Sequence, residues 1–282
     1  MTGGFTPADI DTSRPHPARM YDFYLGGKDN YMVDRNAARE VLRVAPEIRA
    51  TALANRAFLG RAVRYLVRDA GIRQIIDIGT GIPTAGNVHE VAQQIAPDVR
   101  VAYVDNDPIV HVHADALLTG TGATSIVLAD LHEPEAILSH PQISELIDFG
   151  QPVALLLVAI LHFLADEESP GGIVATLRDA LAPGSYLALS HATGDFRAES
   201  AVQAAAVYDM ATSTLTLRGH DEVAGFLDGF EILDPGVVQL PLWRPDGKPP
   251  RDLSKILGYC GVGRKPVTRA ESTGPAAGRD PA

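Results

Sequence analysis

Five short runs of β-branched and aliphatic residues, each closed by turn residues, limit what this chain can fold into. They fall at 74–78, 100–104, 125–129, 153–158 and 186–190, and stretches of helical periodicity near 84–96, 108–118, 133–148 and 170–182 separate them. Strands joined through helices need crossover connections, and crossovers make neighbouring strands parallel. The rhythm therefore predicts an α/β fold, a mostly parallel sheet with helices on both faces. Ahead of it, Ile48, Ala52, Leu59, Ala62, Val63, Leu66 and Ala70 recur at helical spacing, which adds an amphipathic helix. The rhythm breaks at the far end. After a helical stretch over 196–227, two strand-like runs at 230–240 and 255–263 are joined only by the turn-rich segment 243–250. A hairpin is expected there, giving the sheet an antiparallel last strand.

A length of 282 residues suits one large domain with a core that needs no disulfide staples. The expected layout is a single domain over 14–264, with a helical cap or lid at 14–70 and the α/β core at 71–264. Segments 1–13 and 265–282 are rich in Gly, Pro, Ser, Thr and charge and are expected to be disordered tails.

Composition excludes several classes of function. The net charge is −11, with 24 Lys and Arg against 35 Asp and Glu, and the chain lacks the dense basic cluster that neutralising several phosphates requires. A nucleic-acid partner is disfavoured. The single cysteine, Cys260, rules out an internal disulfide or a thiolate cluster and suits a reducing compartment. The longest apolar run, at 153–161, is too short to cross a bilayer, and the polar N-terminus lacks a secretory apolar stretch. A soluble cytoplasmic protein without a membrane partner is expected; no sequence feature bears on oligomeric state.

The sharpest local signal is Ile75-Ile76-Asp77-Ile78-Gly79-Thr80-Gly81-Ile82-Pro83-Thr84, a glycine loop between a predicted strand and a predicted helix. Glycines there let a ligand approach the backbone. Asp77 stands two residues before the first glycine, placed to accept hydrogen bonds from an ammonium group. A dinucleotide loop usually has an apolar residue at that point and a third glycine where this chain has Thr84, after a proline that contributes no N–H. The loop suits a zwitterionic amino-acid group better than a pyrophosphate, while a purely structural glycine turn remains open.

At these residues the chain resembles the class I S-adenosylmethionine-dependent methyltransferases. Val101-Ala102-Tyr103-Val104-Asp105-Asn106-Asp107-Pro108 is similar to their second strand, whose terminal acidic residue holds the ribose hydroxyls; Asp105 is the matching position, with Asn106 beside it. Asp107 reads as a helix N-cap ahead of Pro108. Ile126-Val127-Leu128-Ala129-Asp130-Leu131 resembles the third strand and the Asp that receives the adenine amino group, so the resemblance implies Asp130 and Leu131 at the adenine. A plain turn or cap role for Asp130 stays open. The segment from Ser13 through Tyr31, containing Tyr21, Gly26 and Gly27, resembles the opening of an actinobacterial S-adenosyl methyltransferase family with no assigned substrate. The resemblance implies a Rossmann-like, seven-stranded methyltransferase fold with S-adenosyl-L-methionine as cofactor.

A sulfonium methyl is already electrophilic, so the protein has to align an acceptor, exclude water and, for a hydroxyl or amine, take up a proton. No metal is needed. Ile160-Leu161-His162-Phe163-Leu164-Ala165-Asp166 is similar to a segment in which some O-methylating members use the His as general base. His162 is thus the candidate base, or else a residue packed behind the cofactor with Asp166 capping the next helix. His191, Thr193 and Asp195 stand at the end of the fifth strand, as acceptor-facing or as loop residues. Gly26-Gly27, flanked by Tyr21, Tyr24 and Tyr31, suits a hinged lid over the cofactor or a simple helix boundary. The expected function is methyl transfer to an oxygen or nitrogen of a small-molecule acceptor. The alternatives are a nicotinamide-dependent oxidoreductase and a non-catalytic S-adenosylmethionine-binding regulatory module.

Overall fold

Alternation along the strands decides the architecture. The computed structural model describes residues 11–83, 86–118 and 123–267. Three helices come first: α1 (Pro17–Leu25), α2 (Met32–Val44) and α3 (Ile48–Arg68). Then follow β1 (Gln74–Ile78), α4 (Val88–Ile95), β2 (Arg100–Asp105), α5 (Pro108–Leu118), β3 (Thr124–Leu128), α6 (Pro134–Ser139), α7 (Pro141–Leu146) and β4 (Ala154–Val158). The chain continues with α8 (Pro170–Ala180), β5 (Tyr186–Ala192), α9 (Ala198–Tyr208), α10 (His220–Gly225), β6 (Glu231–Ile232), β7 (Val238–Gln239) and β8 (Gly258–Arg264). Ile75, Val101, Ala154, Leu156 and Ala188 pack against α3 and α4, while Ile76, Ile78, Val104, Leu155, Leu157 and Leu187 face α6, α7, α8 and α10. Both faces of each central strand are buried, which is why the strands read as continuous apolar runs.

The sheet order is β3-β2-β1-β4-β5-β8-β6, with β7 also paired to β8. Strands β1 to β5 run parallel, and β8 lies antiparallel to β5 from Tyr186↔Arg264 to Ala192↔Gly258. This is the expected Rossmann-like arrangement. The chain winds outward from β1 through β2 to β3, then returns to place β4 on the other side of β1. The carboxyl ends of β1 and β4 thus flank the crevice where open α/β sheets hold their ligands.

Several boundaries differ from the sequence reading. The run at 230–240 is not one strand. Pro235, which has no N–H for the ladder, and Gly236 at φ +91° lie between β6 and β7, and both pieces pair with β8. Among the described residues the sheet has eight strands rather than seven, the sixth being in two parts. The helix expected over 133–148 restarts at Pro141, because the residue before a proline is steered out of helical geometry. The helix expected over 196–227 stops at Tyr208 and resumes at His220; between them Thr212 and Thr216 give their backbone N–H groups to the carbonyls of Pro15 and His162 instead. Trp243, expected in the connecting turn, is fully buried, edge-on to Phe58 and Tyr65 of α3 at ring separations of 5.6 and 5.9 Å. Residues 1–10 and 268–282 of the two expected tails, and Thr84, lie outside the described residues. Lys265, assigned to the C-terminal tail, is held: its Nζ donates to the carbonyls of Arg178 and Leu181 at 2.8 and 2.6 Å.

Candidate functional site

Glycine at 79 is dictated by its surroundings. Gly79 has φ +74° and Gly81 φ +66°, a region costly for residues with a Cβ, and a Cβ on Gly79 would stand 2.7 Å from the Ile160 side chain. The loop folds back onto β2: the N–H groups of Gly79 and Thr80 donate to the Val104 carbonyl at 2.8 and 3.3 Å, and Gly81 N–H donates to Asp105 at 2.8 Å. At the start of α4, the N–H groups of Gly86 and Asn87 donate to Glu90 at 2.7 and 2.9 Å. These donors are already spent, in part on a carboxylate, and none of them is free to cradle a pyrophosphate.

Three carboxylates line one crevice at the ends of β1, β2 and β3. Asp77 is buried and accepts from the Thr80 hydroxyl at 3.1 Å. Asp105 is buried and accepts from the N–H groups of Gly81 and Asp107 at 2.8 and 2.9 Å. Burial pushes each carboxyl up to about 6, against the smaller opposing pull of these hydrogen bonds. Asp130 differs. Burial works to raise it, but donation from His132 N–H at 2.9 Å, from Asn106 at 3.1 Å and from the His132 ring together hold it below the ordinary carboxylate value. His132 then bridges to Glu168 at 3.0 Å.

The crevice opens into a cavity of about 200 Å3 roofed by α1. Asp77, Gly79, Thr80, Gly81, Asp105, Asn106, Asp130, Leu131, Tyr21 and His162 all line it. Its far end is aromatic and neutral, with Tyr24, Phe163, Tyr208, Ser190 and Leu215. A hydrogen-bonded chain runs along this wall: Ser190 donates to Asn55 at 2.6 Å, Asn55 donates to the Tyr21 hydroxyl at 2.9 Å, and Tyr21 donates to the Ala52 carbonyl at 3.1 Å. The hydroxyls of Tyr24 and Tyr208 meet at 3.3 Å.

Gly26 and Gly27 do not join them. Gly26, at φ +85°, is the C-cap of α1 and its N–H reaches the Asp22 and Phe23 carbonyls. Gly27 packs so closely on Asp22 that a Cβ would overlap the carboxylate. Glycine suits the end of a helix here, and the pair lies off the main cavity, in a separate hollow with Phe23, Arg39 and Arg49.

His162 sits in a short turn after β4, and its Nδ1 accepts the Ala192 N–H at 3.2 Å. A backbone amide is always the donor, so the neutral ring carries its proton on Nε2. That leaves no lone pair for a substrate proton. Burial, with His191 and Arg218 nearby, also drives its pKa well below the ordinary value. In this arrangement Nδ1 is engaged and Nε2 carries the proton, which is the geometry the general-base expectation for His162 has to meet. His191 is tied as firmly: Nδ1–H donates to the Ala192 carbonyl at 2.6 Å, Nε2 accepts from Arg218 at 3.0 Å, and burial lowers its pKa to about 4. Asp166 does not cap the next helix but receives Arg218, whose Nη2 also donates to the Leu164 carbonyl.

The sequence reading missed Asn55, Arg56, Ser190, Tyr208 and Arg218. Asn55 had a signal, since it falls on the apolar stripe of α3 between Ala52 and Leu59, where an unexplained polar residue is informative. Arg218 had none, lying in an irregular segment far from the turn it braces.

A doubly wound sheet with a glycine loop, acidic residues ending its first two strands and an acidic turn after the third defines the S-adenosylmethionine-dependent methyltransferase class. The family model described as S-adenosyl methyltransferase matches residues 4–266, and the chain belongs to that family. It is similar to a protein of the DUF574 family from Streptomyces avermitilis, with 42% identity over 91% of this chain and 100% of that one and a TM-score of 0.87. It is also similar to a proposed methyltransferase from Thermobifida fusca, with 40% identity over 93% and 99% of the two chains and a TM-score of 0.88. None of the curated proteins compared with the chain matches it. The protein is an S-adenosylmethionine-dependent methyltransferase.

Proposed function

We propose that this enzyme methylates an oxygen or nitrogen of a small neutral or aromatic molecule bound beneath α1. The supporting observation is that one cavity joins the three carboxylates to the aromatic chamber. The donor set fits the cofactor. Asp77 and Asp105, buried with neutral hydrogen-bond partners, suit a ligand bearing an ammonium group and hydroxyls. Asp77 would hold the ammonium, Asp105 the ribose hydroxyls and Asp130 with Leu131 the adenine edge, while Gly79, Thr80, Gly81 and Asn106 shape the crevice. S-adenosylmethionine, when bound, supplies an electrophilic methyl group on sulfur.

The protein's own contribution is positioning and exclusion of water. α1 roofs the chamber, Phe163 and Tyr208 lie 5.8 Å apart at its far end, and both orient an aromatic acceptor. His162 presents its Nε2–H as a hydrogen-bond donor. Burial raises the Tyr21 and Tyr208 phenols above their ordinary values, so both stay protonated near neutral pH, with the Tyr21 proton held by the Ala52 carbonyl.

The test is transfer from methyl-tritiated S-adenosylmethionine to a panel of phenols, carboxylic acids and heteroaromatic amines, with bulk tRNA and protein as comparators. Label in one small-molecule class is expected. Label confined to the macromolecules would overturn the reading.

A further inference from the structure

We propose that Arg56 binds the carboxylate of the cofactor's methionine end and, with Asp77, forms a clamp for the zwitterion. This rests on the placement of the cofactor at Asp77.

Arg56 is on α3 and its guanidinium reaches the loop ahead of α4. Asp77 is on the same face of β1 as Ile75, which packs under that helix. Both residues line the cavity, and the Arg56 charge lowers the Asp77 carboxyl against the larger effect of burial. The guanidinium is anchored at one nitrogen only: Nη2 donates to the Gly86 carbonyl at 3.2 Å and to Asn87 at 3.3 Å. Its Nε is buried with no hydrogen-bond partner among the described residues.

A buried, unpaired guanidinium N–H costs the fold an unmade charge-assisted hydrogen bond. A surface brace between α3 and α4 would not require that cost. A carboxylate oxygen is the acceptor that a planar guanidinium edge matches best. An amino-acid group at this point would meet Asp77 with its ammonium and Arg56 with its carboxylate. The anchoring contacts to Gly86 and Asn87 hold the guanidinium beside the glycine loop before the ligand arrives, which limits the entropy lost on binding.

The clamp predicts selection for ligands that keep the amino-acid end. Calorimetry with S-adenosylhomocysteine and with 5′-methylthioadenosine, which lacks that end, separates this role from a structural one. Replacing Arg56→Gln is expected to weaken S-adenosylhomocysteine by about 10- to 100-fold, the size of one charge-assisted contact, and to leave methylthioadenosine unchanged. Arg56→Lys, which keeps the charge but not the fork, should recover part of the loss. Equal weakening of both ligands would show that Arg56 only braces the loop, and undiminished S-adenosylhomocysteine binding would show that it touches nothing; either overturns the proposal. If the unaltered protein bound methylthioadenosine as tightly as S-adenosylhomocysteine, the nucleoside site would stand and the clamp would fall. If it bound neither, the cofactor placement itself would fail.

Discussion

A histidine's role depends on which nitrogen is engaged, and at His162 the local motif does not say which. Its position after the fourth strand was legible from Leu161-His162-Phe163. The amide that fixes its tautomer belongs to Ala192 on β5, and no local pattern reveals that partner. A residue acting as general base contributes roughly 100- to 10,000-fold to rate. His162→Asn keeps an acceptor for the Ala192 N–H, and once an acceptor is identified we expect it to lower turnover by less than about tenfold, outside the range of a lost base. Single-turnover rates would measure this, and a loss of about 100-fold or more would restore the base. The three carboxylates were legible because their spacing from strand ends is a local property, whereas Asn55, Ser190 and Tyr208 meet only through tertiary packing.

At the scale of elements, α1 lines the cavity with Pro17, Ala18, Tyr21 and Tyr24. Arg19 donates from Nε and Nη2 to Asp107 at 2.9 and 3.0 Å, with Arg19 3% exposed and Asp107 fully buried. The same Asp107 carboxylate caps α5 through the Ile109 N–H at 3.0 Å, as the sequence indicated. The Asp-Pro pair announces the cap, but nothing local announces the arginine 88 residues away. The ion pair pins α1 to α5 across the cavity roof. Removing one partner of a buried pair strands the other charge and typically costs about 3–5 kcal/mol. Arg19→Met is expected to destabilise the protein by about 3 kcal/mol in urea unfolding and to speed cofactor release measured by stopped flow. A stability loss with unchanged release would mean that α1 does not gate the cavity. The glycines at 26 and 27 fit this account as the end of a fastened helix: a glycine after a helical run is a common C-cap, and their spacing alone does not distinguish that from a hinge.

Over the whole molecule, the alternating pattern announced a parallel sheet with helices on both faces, because each apolar run had to be covered on two sides. It did not reveal where Pro235 divides the sixth strand, nor that Trp243 fills the space beneath α3. Burial of the crevice also makes stability and ligand binding respond oppositely to pH. Asp77 and Asp105 are raised to about 6 in the free protein, above the value of about 3.9 expected in an unfolded chain. A raised folded pKa stabilises the fold below the unfolded value, and that contribution is lost as pH rises through about 6. The free protein is therefore expected to lose stability from these two groups between about pH 4 and 6, while a ligand ammonium against Asp77 favours the ionised form. The rise in melting temperature caused by S-adenosylhomocysteine should grow between about pH 5 and about 7.5. Thermal shift assays check this, and an equal rise at both ends would mean that neither carboxylate meets the ligand.

The central claim is that the cofactor's amino-acid end lies against Asp77, at the mouth of the glycine loop. Titration calorimetry of S-adenosylhomocysteine into the unaltered protein and into Asp77→Asn, at a pH near neutrality, tests it most directly. The account predicts micromolar binding to the first and at least about tenfold weaker binding to the second, because the side chain keeps its shape and loses the charge that receives an ammonium. Equal affinity for the two proteins would contradict it.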